Sequence, residues 1–164
     1  NHIDRLLKPL MKLHPQLRWV PEHNRHLTLA FLGDVPAFLV HQLIELFDET
    51  YGREASFQFP MTRLAPFPKP DSGIISLTGE VDRPLEKLFR ITARLLRGIG
   101  QEVDTREFLP HVTLARLGKK KRTRLTLDQP VDVVLDVGKV RLYRSTLTES
   151  GPIYTVLKET RLCR

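Results

Sequence analysis

Cysteine is almost absent from this sequence. The only one, Cys163, is next to last, so no internal disulfide can form and no cysteine metal cluster exists. Long apolar runs are missing too, and nothing approaches the roughly 18 consecutive apolar residues of a membrane span. No basic segment followed by an apolar stretch opens the sequence, so no signal peptide is expected. A cytoplasmic protein with no membrane contact is the resulting expectation. No Gly-x-x-x-x-Gly-Lys loop occurs, which argues against nucleoside triphosphate hydrolysis. No Gly-x-Ser-x-Gly elbow occurs, which argues against a serine hydrolase of that type. His23 and His26 have a metal-like spacing, but neither Cys nor clustered Asp/Glu stands near them. No metal and no cofactor are therefore expected, and His23 reads as a loop residue.

What is present is a folding composition. The 164 residues are 41% hydrophobic and 27% charged, which suits one domain or two small lobes sharing a core and argues against disorder. Lys and Arg number 26 against 19 Asp and Glu, a formal net charge of +7. Such an excess points to an anionic partner, with nucleic acid or a phosphorylated ligand first.

Periodicity supplies the elements. Ile3, Leu6, Leu7, Leu10, Met11 and Leu13 recur at helical spacing over residues 3 to 13, although Pro9 interrupts the pattern. Arg18 to Val20 reads as a short strand, Pro21 to Asn24 as a loop, and His26 to Leu32 as a strand closed by Gly33-Asp34. Pro36 opens a second helix, whose buried stripe is Phe38, Leu39, Leu43, Ile44, Leu46 and Phe47. Ser56–Leu64 and Ile74–Leu77 read as strands around a proline-rich turn at 66–73. Asp82 caps a third helix with Leu85, Leu88, Phe89, Ala93, Leu95 and Leu96 inward. Leu109–Leu117 and three segments near 131–136, 139–144 and 153–160 are further strands.

One segment repeats. His26-Leu27-Thr28-Leu29-Ala30-Phe31-Leu32-Gly33 matches His111-Val112-Thr113-Leu114-Ala115-Arg116-Leu117-Gly118 at six of eight positions. A bare His-x-Thr arises by accident, and a lone histidine on a strand is usually a surface or hydrogen-bonded residue. Here the surroundings repeat as well, with a helix ahead of each copy. A duplicated helix–strand unit, around 3–33 and 85–118, follows as the expectation. Alternate side chains of a strand share a face, so His26 goes with Thr28 and His111 with Thr113, while Leu27, Leu29, Val112 and Leu114 turn to the core. Two such strands around a pseudo-twofold axis would line a cleft with one His/Thr pair from each side. This set suits phosphodiester chemistry. A neutral imidazole takes a proton from the attacking group, and a protonated one donates to the leaving oxygen. The threonine hydroxyls can donate to non-bridging phosphate oxygens, and no metal is needed.

The paired tetrads resemble those of the two-histidine (2H) phosphoesterase superfamily. The wider text is similar to its RNA 2',3'-cyclic phosphodiesterase branch, also called 2'-5' RNA ligase-like. Three stretches carry the likeness: Arg18 to Glu22 running into the first tetrad, Pro66-Phe67-Pro68-Lys69-Pro70, and Phe108-Leu109-Pro110 running into the second. The resemblance implies an α+β fold of two quasi-symmetric lobes, antiparallel sheets with outer helices around a central V-shaped cleft. It implies His26 as proton donor, His111 as proton acceptor, and Thr28 and Thr113 as phosphate ligands. The reaction it implies is hydrolysis of a 2',3'-cyclic phosphate at an RNA end to a 2'-phosphomonoester, with reverse 2'-5' ligation as a further possibility. The family opens with a strand ahead of its first helix, whereas this sequence begins at about that helix. The family also often has an aromatic residue where this chain has Ser76.

Arg116, Lys119, Lys120, Lys121, Arg122 and Arg124 form a basic run with no acidic residue among them. Without these six the remaining basic residues nearly balance the acidic ones, 20 against 19. The run reads either as a solvated loop or as an RNA-backbone contact beside the second histidine. Arg25 and Arg63 are weaker candidates of the same kind, and Trp19, Phe31 and Phe67 are candidate stacking platforms. The expected partner is RNA bearing a cyclic phosphate or a small cyclic nucleotide, and a monomer is expected. Two other readings remain open: a non-catalytic RNA-binding module, and a phosphodiesterase for a small nucleotide cyclic phosphate.

Overall fold

The computed structural model describes residues 2–103, 107–118, 126–148 and 151–164. Among the described residues, three α-helices and seven strands follow in the order α1 (His2–Leu13), β1 (Leu17–Trp19), α2 (Ala37–Tyr51), β2 (Phe57–Pro66), β3 (Ile74–Thr78), α3 (Arg83–Gly98), β4 (His111–Leu117), β5 (Gln129–Val137), β6 (Lys139–Thr148) and β7 (Gly151–Arg161). This is the α+β class expected. None of the described helices is long and apolar enough to cross a membrane. The chain divides into two compact units, each assembled from three separate segments.

The first unit comprises 1–28, 60–81 and 108–135. It carries a five-stranded sheet in the order β1-β4-β3-β2-β5. The register aligns Leu64 with Leu77, Leu77 with Val112, and Val112 with Leu27. Directly opposed residues share a face, so these four form one apolar row on the core side. Leu64, Leu77 and Val112 are buried. Ile3, Leu7 and Leu10 of α1 are buried as well, at the spacing of one helical stripe. The helix runs through Pro9.

The second unit comprises 29–59, 82–107 and 136–164. Its core joins α2, α3 and the β6–β7 hairpin through Leu43, Phe47, Tyr51, Leu88, Leu96, Val140 and Leu142. Thr92 donates to the Leu88 carbonyl at 2.9 Å, which leaves its oxygen to accept from the Tyr51 hydroxyl at 2.9 Å. The buried phenol of this core is thereby satisfied. Asp82 caps α3, accepting from the Leu85 amide at 2.9 Å. Asp82→Ala is expected to cost about 1 kcal/mol of stability, the usual worth of such a cap, measured by chemical denaturation.

Two expectations need correction. Phe38 is 67% exposed rather than part of the α2 stripe. The buried face is set by Leu43, Phe47 and Tyr51, and Phe38, five residues before Leu43, lies about 140° round the helix from it. The strand expected over His26–Leu32 is reduced to a single bridge, Leu27 with Val112. After the Val20 amide the chain turns off the β4 edge into a 3₁₀ turn over Glu22–Asn24, so the edge is broken before the motif begins.

Candidate active site

The first motif reaches its position by a detour. β1 pairs antiparallel with β4 as far as Trp19 opposite Ala115, and the Val20 amide adds one more bond to the Leu114 carbonyl at 2.8 Å. At Pro21 the chain leaves the edge and makes a 3₁₀ turn over Glu22–Asn24. Arg25 fastens the turn: its Nε donates to the Val20 carbonyl at 3.0 Å and its Nη1 to Asp4 Oδ1 at 2.6 Å. Its side chain is only 11% exposed. Arg25 is therefore committed to holding the loop, and this corrects its reading as an RNA contact. Leu27 then rejoins β4 at Val112.

That antiparallel bridge sets His26 beside Thr113 and Thr28 beside His111. With β3 opposing Thr78 to His111 and Ser76 to Thr113, and β2 opposing Arg63 to Thr78 and Ala65 to Ser76, two rows cross one sheet face. One reads Arg63–Thr78–His111–Thr28, the other Ala65–Ser76–Thr113–His26. The two histidines lie on a diagonal, each next to the other's threonine. A third row follows a bulge between Ile75 and Ser76, where Arg116 stands opposite Ile74 on one side and Arg18 on the other. Both arginines are exposed, and like charges directly opposed repel, so this end of the face favours an anion. Both His/Thr pairs belong to the first unit, on a single face, rather than coming one from each of two lobes. They pair with each other through Leu27 and Val112, and this holds them together.

The two imidazoles are anchored alike. His26 Nδ1 lies 2.8 Å from the Asn24 carbonyl, and His111 Nδ1 lies 2.8 Å from the Leu109 carbonyl, in each case two residues back. A carbonyl only accepts, so Nδ1 carries the hydrogen and each ring exchanges its proton at Nε2. Phe67 stacks on His111 with centroids 4.1 Å apart and planes at 24°. The Phe67 amide is tied to the Ile74 carbonyl at 2.9 Å, and its own carbonyl accepts from Ser72 Oγ at 2.5 Å. Burial pushes the His26 pKa below its ordinary value; the Asn24 carbonyl pulls it up, and the charge of His111 adds to the lowering. That coupling is electrostatic contact between the two motifs.

The other expected residues divide. Arg116 lies on the same face as His111 and is exposed; Lys119, Lys120, Lys121, Arg122 and Arg124 fall outside the described residues. His23 and His41 are exposed, as read. Phe31 is 72% exposed, and the indole N–H of Trp19 is enclosed without a partner among the described residues. Among the described residues no group of His, Cys, Asp and Glu could hold a metal ion. Thr78, Ser76 and Arg18 join the site face only through the register. Asp128 joins it through a two-pronged ion pair with Arg63, at 2.8 and 2.9 Å.

A family model described as the 2'-5' RNA ligase superfamily matches residues 2–148. The chain belongs to that superfamily. A protein of Aquifex aeolicus (strain VF5) named RNA 2',3'-cyclic phosphodiesterase is 32% identical, across 97% of this chain and 89% of its own length. A Thermotoga maritima protein of the same name is 32% identical, across 94% and 84%. Among solved structures, TT0787 of Thermus thermophilus superposes with a TM-score of 0.81 at 26% identity, covering 97% of this chain and 90% of that one. LigT of E. coli complexed with 3'-AMP gives 0.76 at 25% identity, covering 99% and 92%. Membership in the 2'-5' RNA ligase superfamily bears out the likeness read from the paired tetrads, and it covers almost the whole chain.

Proposed function

We propose that this protein is an RNA 2',3'-cyclic phosphodiesterase that works without a metal ion. The observation that carries the proposal is the matched anchoring of His26 and His111, with each ring's exchangeable proton on Nε2 and each ring beside the other motif's threonine. Two superfamily relatives named for this reaction support the choice of substrate.

In the proposed reaction a water oxygen attacks phosphorus while His111 Nε2 takes its proton. The bond from phosphorus to the 3' oxygen breaks, and His26 Nε2 delivers its proton to that oxygen. The product carries a 2'-phosphate and a free 3'-hydroxyl. Thr28 and Thr113 donate to the non-bridging oxygens, where charge builds in the transition state. Placing a 5'-hydroxyl where the water sits turns the same proton transfers into 2'-5' ligation.

The lowered pKa of His26 works against its role as donor in the free protein, because burial favours the neutral ring. A bound phosphate supplies a negative charge beside the ring of His26 and raises its pKa. The donor is thus charged by its own substrate.

The test is hydrolysis of an oligonucleotide ending in a 2',3'-cyclic phosphate, assayed in excess EDTA with the product identified as the 2'-phosphate. Undiminished turnover in EDTA is expected. Activity abolished by EDTA and restored by a divalent cation would overturn the metal-free reading. Binding without turnover would favour an RNA-binding module, and turnover of mononucleotides alone would favour a small-molecule substrate.

A further inference from the structure

Next to the histidine pair, on the same face of the first unit, lies a cavity of about 690 Å³. Its walls include Phe67, Leu109, Pro110 and Thr78, and its far side is lined by Arg63 and Asp128. Leu109 and Pro110 lead directly into His111, and the ring of Phe67 stacks on that imidazole. The cavity therefore opens beside the second histidine. Its volume falls in the range of ordinary small-molecule sites, roughly 300–1,000 Å³.

The chemistry of its two ends differs. The near end is aromatic and aliphatic. The far end presents a guanidinium held to a carboxylate by two hydrogen bonds, Arg63 Nε to Asp128 Oδ1 at 2.8 Å and Arg63 Nη2 to Oδ2 at 2.9 Å. Arg63 spends two of its five N–H groups on this pair, and each Asp128 oxygen keeps a lone pair. The far end so offers fixed donors next to fixed acceptors. Both side chains are substantially exposed, 63% and 45%, so the pair adds little to stability. The geometry is still well defined, because a planar fork meets a planar carboxylate.

We propose that this cavity is the subsite for the nucleobase attached to the ribose whose cyclic phosphate is cleaved, with the Arg63–Asp128 pair reading the edge of the base. The proposal rests on the phosphodiesterase reading. A base is flat and apolar on its faces and alternates donors and acceptors along its edge, which matches both ends of the cavity. The span fits too. Arg63 lies two strands from His111 by way of Thr78, about 10 Å at ordinary strand spacing. That is the length of a nucleoside from its cyclic phosphate to the far edge of its base. Apolar walls with a few placed polar groups are also the usual make-up of a specificity pocket.

The experiment compares nucleoside 2',3'-cyclic phosphates with 1-O-methylribose 2',3'-cyclic phosphate, which has no base. For the wild type, the ratio of kcat/KM between the two reports what the base contributes. Arg63→Ala and Asp128→Ala are each expected to lower that ratio about tenfold, mainly through KM, the equivalent of one good polar contact. A second arm measures equilibrium binding of a nucleoside 2'-phosphate against ribose 2-phosphate and needs no turnover. The same loss of preference is expected there. Equal losses on both ligands, or an unaltered ratio in both variants, would overturn the subsite. Absence of hydrolysis of every cyclic phosphate, with the binding preference intact and sensitive to Arg63, would overturn the phosphodiesterase reading and leave the subsite standing.

Discussion

His111→Ala and His26→Ala are each expected to lower turnover of a 2',3'-cyclic phosphate by about 10²–10⁴-fold, the usual contribution of one positioned proton-transfer group. KM should change far less, because neither variant removes a threonine hydroxyl or an arginine. The double variant should be little worse than the more damaging single one, since the two proton transfers belong to one step and groups that act as a unit do not add. Folding is not at risk at these positions. Both rings sit half-buried on the open face, and the apolar row of Leu64, Leu77 and Val112 lies on the opposite one. Unchanged turnover in both variants would sink the paired-histidine mechanism.

The pH dependence follows from the same pair. One ring must be neutral and the other protonated, so kcat against pH should be bell-shaped. A monotonic rise to about pH 9 would require a base other than imidazole. Burial sets the sign for His26. Its folded pKa lies below the ordinary value, so the unfolded chain binds the proton more readily. Stability is full above about pH 6.5 and is lost as pH falls from there towards the folded pKa. Inorganic phosphate should move the His26 titration upward, since it supplies the charge that burial withholds. An NMR titration of the imidazole with and without phosphate reads this directly.

Much of this was legible in the residues themselves. Strand alternation has period two, so His-x-Thr in β4 had to share a face whatever the tertiary fold. The Asp82 cap is a local signal three residues long, and it is found as expected. What stayed hidden depends on pairing between distant segments. Thr78 meets His111 only through the register of β3 against β4, and Arg116 reaches the same face only through the bulge beyond Ser76. Arg63 finds Asp128 across 65 positions, and Arg25 finds Asp4 across 21. None of these partners leaves a trace in local sequence, so Arg25 and Arg63 looked equally free when neither was. The first tetrad misled in the opposite direction. Its alternation is that of a strand, yet the chain turns off the β4 edge over Glu22–Asn24 just upstream, and only Leu27 pairs.

Replacing Thr113 or Thr28 with valine is expected to cost turnover about 10²–10³-fold, the size of a lost oxyanion donor. Valine keeps the shape of threonine and removes only the hydroxyl, so strand packing is preserved while the donor is lost. The loss should fall mainly on kcat, because charge on the non-bridging oxygens grows between the bound ester and the transition state. Thr113 has a particular neighbour. Ser76, directly opposite it, has a fully buried hydroxyl without a hydrogen-bond partner among the described residues. The cross-strand row thus holds two hydroxyls, one solvent-reachable and one enclosed, and only the former can meet a phosphate. Thr113→Ser restores a hydroxyl and should recover most of the rate, whereas Ser76→Ala should leave kcat within a few-fold of the wild type. The diagonal placement gives a further expectation. Thr28 stands beside His111 and Thr113 beside His26, so either valine should also disturb the pH profile on the limb of the histidine it adjoins. If both valine variants raised KM alone and left kcat and the profile intact, the hydroxyls would be ground-state ligands only, and stabilisation of the transition state would have to come from Arg116 and Arg18 in the neighbouring row.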